Sequence, residues 1–168
     1  ELTAEIADGW LPFMYSPTRG QDIYKNSLES GFSKSGVTEK KEKFEIVTTV
    51  FGRVCEENEI DEYLYPARNI YTLYVGGMGA KSKNFYYNLF CEYGYEDIAD
   101  ELQNLYLSGK KKESEQLFPK ELLNELTLVG TKKDIEKKLE KWKDSNITEI
   151  SLSLPIDFET VKFIKELL

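Results

Sequence analysis

The sequence contains no histidine, and this absence excludes several common kinds of active site. Histidine is the usual general base near neutral pH and the most frequent zinc ligand in proteins. A Ser-His-Asp triad, a Cys-His pair or a His-ligated metal site therefore cannot lie within these 168 residues. The Walker A pattern and the Rossmann glycine pattern are also absent, which excludes the phosphate-binding loops of those two nucleotide-binding folds.

Cysteine, positive charge and long apolar runs are scarce as well. Cys55 and Cys91 form no close-spaced ligand motif, so we expect two reduced, unbridged thiols. With 22 basic against 30 acidic side chains, the formal net charge is −8, which would repel nucleic-acid phosphates and anionic lipid headgroups. No run approaches about 18 apolar residues, and the N-terminus lacks the order of a signal peptide. These features favour a cytoplasmic protein with neither nucleic acid nor a membrane as partner.

What the sequence does contain is an alternation of strand-like and helix-like segments. Residues 44–54 are rich in β-branched and aromatic side chains and give the clearest strand. Shorter strands are predicted at residues 10–15, despite Pro12, and at residues 147–154, while the apolar run at residues 126–129 could be a brief strand but is too short to decide. Helices are predicted at residues 1–7, where the chain begins within an element, and at residues 17–35, 59–74, 84–93, 95–107, 113–125, from 131 through 142, and at 158–167.

Strands that alternate with long helices predict right-handed crossovers and a parallel sheet, which is the α/β class. The helical segment at about residues 80–125 is interpreted as an insertion between strands. A complete TIM (β/α)8 barrel needs eight strands and about 250 residues. We therefore expect residues 1–168 to form one domain that supplies fewer than half of the strands of such a barrel.

Several motifs resemble those of one family. Residues 4–12, AEIADGWLP, are similar to a stretch of the luciferase-like oxidoreductases that use coenzyme F420, a deazaflavin. Further similar motifs follow in the family's order: LYVGGMG at 73–79, KNFY at 83–86, LYLSG at 105–109, FP at 118–119 and LVGT at 128–131. The resemblance implies the carboxyl-terminal part of a luciferase-like barrel, containing its sixth to eighth strands, in which the preceding strands build much of the coenzyme site.

The resemblance also implies an activity, namely hydride transfer between coenzyme F420 and an organic substrate. Two alternatives stay open: an FMN-dependent monooxygenase of the same barrel type, and a non-catalytic, truncated paralogue that dimerises through its helices. No catalytic acid or base can be named. We expect the chain alone to bind neither coenzyme tightly, and to form a homo-oligomer or pair with the missing amino-terminal half, because its outer strands would leave open edges.

The first candidate site residues are Tyr15 and Ser16. They follow the first predicted strand, and the carboxyl ends of the strands form the working face of a barrel. Phe13 precedes them on the same segment. The alternative interpretation is that Phe13 and Tyr15 are core aromatics and that Ser16 caps the following helix.

The second candidate site combines a flexible backbone and cations just before a helix, where exposed N–H groups favour an anion. Its residues are Gly76, Gly77, Met78, Gly79, Lys81, Lys83 and Asn84. Coenzyme phosphate, its acidic tail or an anionic substrate would suit such a site. The alternative is a turn between helices with solvated lysines. We expect this segment to lie on the same side of the sheet as Tyr15 and Ser16.

Two further features have competing interpretations. The aromatic residues between Tyr71 and Tyr95 could stack on a planar ring, although their helical spacing favours packing between helices. Arg68 could bind an anionic group, but an ion pair with Asp61 or Glu62 is the favoured interpretation.

Overall fold

The computed structural model describes residues 1–80, 83–153 and 157–168. These form two compact units. The sheet unit comprises Glu1–Glu57 and Leu128–Leu168, and the helical unit comprises Asn58–Thr127. The single-domain organisation expected from the sequence stays a prediction.

The sheet unit alternates helices and strands as the α/β pattern predicts. Its elements are α1 (Leu2–Ile6), β1 (Gly9–Trp10), α2 (Gly20–Ser35), α3 (Lys40–Lys43), β2 (Glu45–Val54), β3 (Thr127–Gly130), α9 (Lys132–Lys143), β4 (Glu149–Ser153) and α10 (Phe158–Leu167). The helical unit contains α4 (Ile60–Gly77), α5 (Phe85–Phe90), α6 (Glu96–Leu107), α7 (Lys111–Leu117) and α8 (Lys120–Glu125). The strands predicted at 44–54 and 147–154 are confirmed as β2 and β4, except that Leu154 lies outside the described residues, and the undecided run at 126–129 forms β3.

The longest strand, β2, organises the sheet. It runs parallel to β1, with Trp10 opposite Ile46, and parallel to β4, from Val47 opposite Glu149 to Phe51 opposite Ser153. Strand β3 also pairs with β2. The predicted α/β class with a parallel sheet is therefore confirmed.

The two faces of β2 differ in burial because successive side chains of a strand point to opposite faces. Ile46 and Val50 are buried, whereas Val47, Thr49 and Phe51 are only half-buried. The buried face packs against helices in a cluster that contains Tyr15, Val50, Leu128, Ile135, Leu139, Trp142 and Ile164. The helix layer therefore covers one face of the sheet.

Strand β1 is much shorter than predicted. The sequence indicated a strand over residues 10–15, but it ends at Trp10. Pro12 has no N–H to donate to a neighbouring strand, and Met14 has a positive φ of 56°. The chain therefore leaves the sheet after Trp10, and the next helix begins at Gly20 rather than at the predicted residue 17.

The last two helices begin as the sequence predicts. The hydroxyl of Thr131 accepts a hydrogen bond from the Asp134 N–H, while the Asp134 carboxylate accepts one from the Thr131 N–H, which is a capping box. Asp157 caps α10 by accepting from the Thr160 N–H at 2.7 Å. These caps satisfy N–H groups that the first turn of each helix leaves unpaired.

Two expectations concern the whole chain. In the part that the structure describes, Cys55 and Cys91 are not joined by a disulfide, which confirms the prediction of unbridged thiols. Among the same residues, no helix combines the length and the apolar character needed to cross a bilayer.

Candidate functional site

The candidate site is the face of the sheet opposite the helix layer, which we call the open face. On β2 and β4 its side chains alternate with those that pack against the helices, and each is half-buried or exposed, whereas β3 is buried throughout. The side chains of the open face are Val47, Thr49, Phe51 and Arg53 on β2, and Glu149, Ser151 and Ser153 on β4. In barrels of parallel strands, ligands bind at the carboxyl ends of the strands. The carboxyl-terminal half of the open face is therefore the part that can form a binding surface.

The strand register brings hydroxyl groups and an aromatic ring together on this face. Thr49 lies opposite Ser151, and Phe51 lies opposite Ser153. A ring flanked by hydroxyl groups can contact the face of a planar ligand and form hydrogen bonds with its polar edge. The open face can therefore bind a flat, heteroatom-rich molecule.

A charged pair lies at the end of this face. Arg53, near the end of β2, forms an ion pair with Asp157, the cap of α10. Burial alone would raise the pKa of the Asp157 carboxyl, but hydrogen bonds from Thr160 and the nearby Arg53 guanidinium hold this pKa below its usual value. The pair therefore remains charged at neutral pH and fixes the start of α10 beside the end of β2.

Tyr15 lies in the helix layer and not on the open face. Its side chain is buried, its ring stacks on that of Tyr24, and its hydroxyl donates a hydrogen bond to Asn146. Burial raises the pKa of Tyr15 well above that of a free phenol. This geometry fits the core interpretation, while a role of Tyr15 in ligand binding stays a prediction.

Ser16 is also buried and forms local hydrogen bonds. Its hydroxyl accepts from the N–H of Arg19 at 2.9 Å and from the N–H of Thr18 at 3.3 Å. A serine side chain that accepts from the next turn is a capping contact. Ser16 therefore stabilises the turn before α2, but it is not the N-cap of that helix, because α2 begins at Gly20 after Arg19 without a side-chain cap. Phe13 nearby is half-buried.

The glycine segment differs from the predicted flexible loop. Helix α4 continues through Gly76 and Gly77. A Cβ atom added at either position would lie 2.6 Å from the side chain of Tyr106 on α6. These two glycines therefore serve close helix packing. Exposed Met78 and Gly79 follow the helix, and the φ of 147° at Gly79 is a conformation that favours glycine.

The polar residues after the glycines are placed differently from one another. Lys81 lies outside the described residues, and Lys83 is exposed. Asn84 is buried, and its amide group donates to the carbonyl oxygens of Tyr74 and Val75 at 2.9 and 2.8 Å. Its carbonyl oxygen accepts from the first turn of α5 at Tyr86 and Tyr87. Four hydrogen bonds fill the capacity of an asparagine side chain, so Asn84 has none left for a ligand in this structure.

A cavity of about 320 Å³ lies at the other end of the strands. Its walls include Phe44 and Ile46 at the start of β2, and Asn146 and Thr148 before β4. It lies away from the carboxyl ends, where the chemistry of parallel barrels takes place. We therefore place the candidate site on the open face and not in this cavity.

The comparisons with known proteins agree with this architecture. The family model of the luciferase-like monooxygenases matches residues 1–149. The chain belongs to the luciferase-like monooxygenase family. It is also 34% identical over 147 residues to a Mycobacterium tuberculosis protein provisionally named coenzyme F420-dependent oxidoreductase, covering 88% of this chain and 42% of that protein.

Two solved structures share the fold of this luciferase-like chain. One is the coenzyme F420-dependent tetrahydromethanopterin reductase of Methanopyrus kandleri, with a TM-score of 0.67 and 16% identity over 98% of this chain and 44% of that one. The other is an F420-dependent secondary alcohol dehydrogenase in complex with an F420-acetone adduct. Its TM-score is 0.64, and the identity is 15% over 99% of this chain and 44% of that one. The chain spans less than half the length of these relatives, so its sheet is part of a barrel.

Sequence reasoning about this luciferase-like chain missed the open face. The alternation of Glu149, Ser151 and Ser153 with apolar residues was visible in the sequence. Alternation separates the two faces of a strand but does not tell which face the helices cover. The pairing of Thr49 with Ser151 supplies that information, because it aligns the polar face of β4 with the less buried face of β2.

Lys138 on α9 is a second feature that sequence reasoning missed. Its ammonium group donates a hydrogen bond to the Val129 carbonyl oxygen at 2.7 Å. Burial lowers the pKa of Lys138 from its ordinary value of 10.5 to about 8, although nearby Asp134 acts in the opposite direction. The folded protein therefore holds this proton less tightly than the unfolded chain does.

This pKa difference predicts a pH dependence of stability. Between pH 8 and 10.5 the unfolded chain binds more protons at Lys138, so the free energy of unfolding should rise with pH. From pH 7.5 to pH 10, we expect the free energy of unfolding of the wild type to rise by about 2 kcal/mol relative to that of Lys138→Met, measured by urea unfolding. Lys137→Met, at an exposed neighbouring position, is the control. A difference that stays constant with pH would contradict the prediction.

Proposed function

We propose that this chain is part of an oxidoreductase that transfers a hydride between coenzyme F420 and an organic substrate. The observation that carries the proposal is the open face, which offers hydroxyl groups and a ring at the carboxyl end of a partial barrel. Support for the choice of coenzyme comes from the Mycobacterium tuberculosis relative and from the two F420-dependent enzymes that share the fold.

The side chains of the open face fit a deazaflavin in their chemistry. Phe51 offers an aromatic surface, and the hydroxyl groups of Thr49, Ser151 and Ser153 can donate to or accept from polar ring edges. When bound, the coenzyme would supply the hydride chemistry. The protein would then position the ring and limit the access of water, and the Arg53–Asp157 pair would hold the end of β2 against α10.

Titration of the purified chain with coenzyme F420 and with FMN tests this proposal. We expect F420 to bind weakly, with a dissociation constant above about 10 μM, since this chain supplies part of a barrel, and to bind more tightly than FMN. Ser151→Leu should weaken F420 binding about tenfold because it places a branched apolar group on the open face. Ser33→Leu, at an exposed position on α2, should have no effect.

Fluorescence of each coenzyme reports the binding. Tighter binding of FMN than of F420 would contradict the proposed coenzyme and support the flavin alternative. Equal F420 affinities for Ser151→Leu and wild type would place the coenzyme elsewhere than on the open face. Absence of a coenzyme signal with either compound would favour the non-catalytic alternative.

We also propose that the chain associates with further barrel strands, either in an amino-terminal half barrel or in a second copy. Three apolar side chains near the first strand support this: Leu2 is 64% exposed, Ile6 70% and Leu11 78%. Leu2 and Ile6 lie one turn apart on α1 and so share a face of that helix, and an apolar face of this kind is typical of an interaction site. A partner that covers this surface would also extend the sheet beyond β1.

The molar mass in solution tests this association. For the isolated chain we expect a light-scattering mass of at least twice the 19.5 kDa of the monomer. The double variant Leu2→Lys, Ile6→Lys should shift the mass towards the monomer, because it places two charges on the proposed contact surface. Val37→Lys, at a different exposed apolar residue, is the control. A wild-type chain that remains a 19.5 kDa monomer at high concentration would contradict self-association.

A further inference from the structure

Arg68 in the helical unit lacks the ion pair that the sequence suggested. Asp61, one of its expected partners, instead pairs with Lys120 at 2.8 Å. Within the residues that the structure describes, Arg68 forms no ion pair, and its Nε atom is buried without a hydrogen-bond acceptor. The expected ion pair with Asp61 or Glu62 is therefore absent among these residues, and the Arg68 charge only adds to the effect of Lys120 in lowering the pKa of the Asp61 carboxyl. The buried Nε atom itself is out of reach of a ligand, so any contact with one must use the part of the Arg68 guanidinium that lines the surface.

Arg68 lines a cavity of about 400 Å³ between α4 and α7. The other lining residues are Tyr65, Lys112, Glu115 and Gln116, and all five belong to the helical unit. This volume is within the range of pockets that hold small organic molecules. Tyr65 is 48% exposed, so part of its ring is available to a ligand.

The charges around this cavity favour an anion. Lys112, like Arg68, forms no ion pair within the described ranges. Glu115 supplies the only negative charge among the lining residues, and its carboxylate accepts a hydrogen bond from Asn69 at 2.8 Å. Two cations against one carboxylate leave a net charge of about +1 in the cavity.

We propose that this cavity binds a small aromatic carboxylate. The planar guanidinium of Arg68 suits a carboxylate because its two N–H groups can donate in parallel to the two oxygens. The exposed part of Tyr65 can pack against the aromatic ring of the ligand. A single negative charge matches the net charge of the lining, whereas a dianion would meet repulsion from Glu115. This site is independent of the proposed coenzyme function.

Binding of benzoate to the full chain, measured by ligand-observed NMR and calorimetry, tests the proposal. We expect saturable binding with a dissociation constant of about 1 mM, and at least tenfold weaker binding of benzamide, which has the same ring without the charge. Arg68→Gln should weaken benzoate binding at least tenfold. Lys137→Gln, at an exposed position in the sheet unit, removes the same charge and should leave the affinity unchanged.

Two further variants separate binding from folding. Lys112 is exposed, so Lys112→Gln should fold normally and weaken benzoate binding about threefold, with a larger effect at low salt. Tyr65→Ala should weaken benzoate but leave any binding of acetate unchanged, because acetate has no ring. Absence of saturable benzoate binding, equal binding of benzamide, or full affinity in both Arg68→Gln and Lys112→Gln would each overturn the proposal.

Discussion

Gly76→Ala is expected to destabilise the helical unit by about 3 kcal/mol, although alanine is the better helix former by about 1 kcal/mol. The added Cβ would lie 2.6 Å from Cβ and 2.7 Å from Cγ of Tyr106. These atoms are close to the backbone of α6, so no side-chain rotation can move Cβ away. The two helices would have to separate, which reduces packing along their contact. Urea unfolding followed by circular dichroism measures the loss.

Gly77→Ala provides an internal comparison. Its added Cβ would lie 2.6 Å from Cε1 of the Tyr106 ring, and so would meet the far end of the side chain. In a Tyr106→Ala background this contact disappears, and Gly77→Ala should become neutral or stabilising. Gly76→Ala should stay costly in the same background, because the Cβ of residue 106 remains. If the Tyr106→Ala background restored the stability of both glycine variants equally, this result would contradict the packing that the structure describes.

The glycine segment also illustrates a limit of the sequence. Consecutive glycines are typical of turns, and the pattern predicted a break after residue 74. Nothing in the sequence of that segment indicates that a large side chain packs against it. Tyr106 lies on a later helix, and its position beside Gly76 and Gly77 follows from tertiary packing. The same two residues therefore lengthen α4 where the sequence predicted its end.

Elements with strong local signals were predicted well. Strand β2 has a run of β-branched and aromatic residues, and α9 has a capping box at Thr131 and Asp134, so both were found close to their true limits. The weaker strand β1 was overestimated, because Met14 and Tyr15 are buried in the core without continuing the ladder. Burial and strand formation produce the same apolar signal in a short segment.

The candidate site was harder to predict because it depends on pairings between distant segments. Asp61 precedes Arg68 by two helical turns, which made an ion pair plausible. In the structure, however, Lys120 from α8 forms the ion pair with the Asp61 carboxylate. The open face needs the register between β2 and β4 before its polar side chains can be grouped. Such contacts are fixed by the fold and not by local spacing.

Asn84→Ala is expected to destabilise the helical unit by about 4 kcal/mol. The substitution removes the cap of α5, which contributes about 1 kcal/mol. It also removes the Asn84 amide from the part-buried carbonyl oxygen of Tyr74 and from the buried one of Val75, which keeps only the longer bond from the Gln103 amide at 3.5 Å. Weakening the hydrogen bonding of buried acceptors costs about 1–3 kcal/mol. Thr131→Ala is the matched control, since Thr131 caps α9 through contacts within the capping box and should lose only about 1 kcal/mol.

Asn84→Asp separates the two roles of this side chain, in which the carbonyl oxygen accepts hydrogen bonds and the amide group donates them. Aspartate can still accept hydrogen bonds from the first turn of α5, but its ionised carboxylate cannot donate to the Tyr74 and Val75 carbonyl oxygens. Burial beside these oxygens should raise the carboxyl pKa in the folded state. The variant should therefore lose stability relative to wild type as the pH rises from about 4 to 7, because the folded protein holds the proton more tightly than the unfolded chain.

Urea unfolding of both Asn84 variants at pH 4 and pH 7 measures these effects. If Asn84→Ala costs no more than Thr131→Ala, the hydrogen bonds to Tyr74 and Val75 contribute little, and the Asn84 amide could exchange them for a ligand. The predicted binding role of Asn84 would then regain support. If the larger cost is observed, and Asn84→Asp is the more stable at pH 4, the amide is needed to join the end of α4 to the start of α5. A ligand at this segment would then have to use other groups.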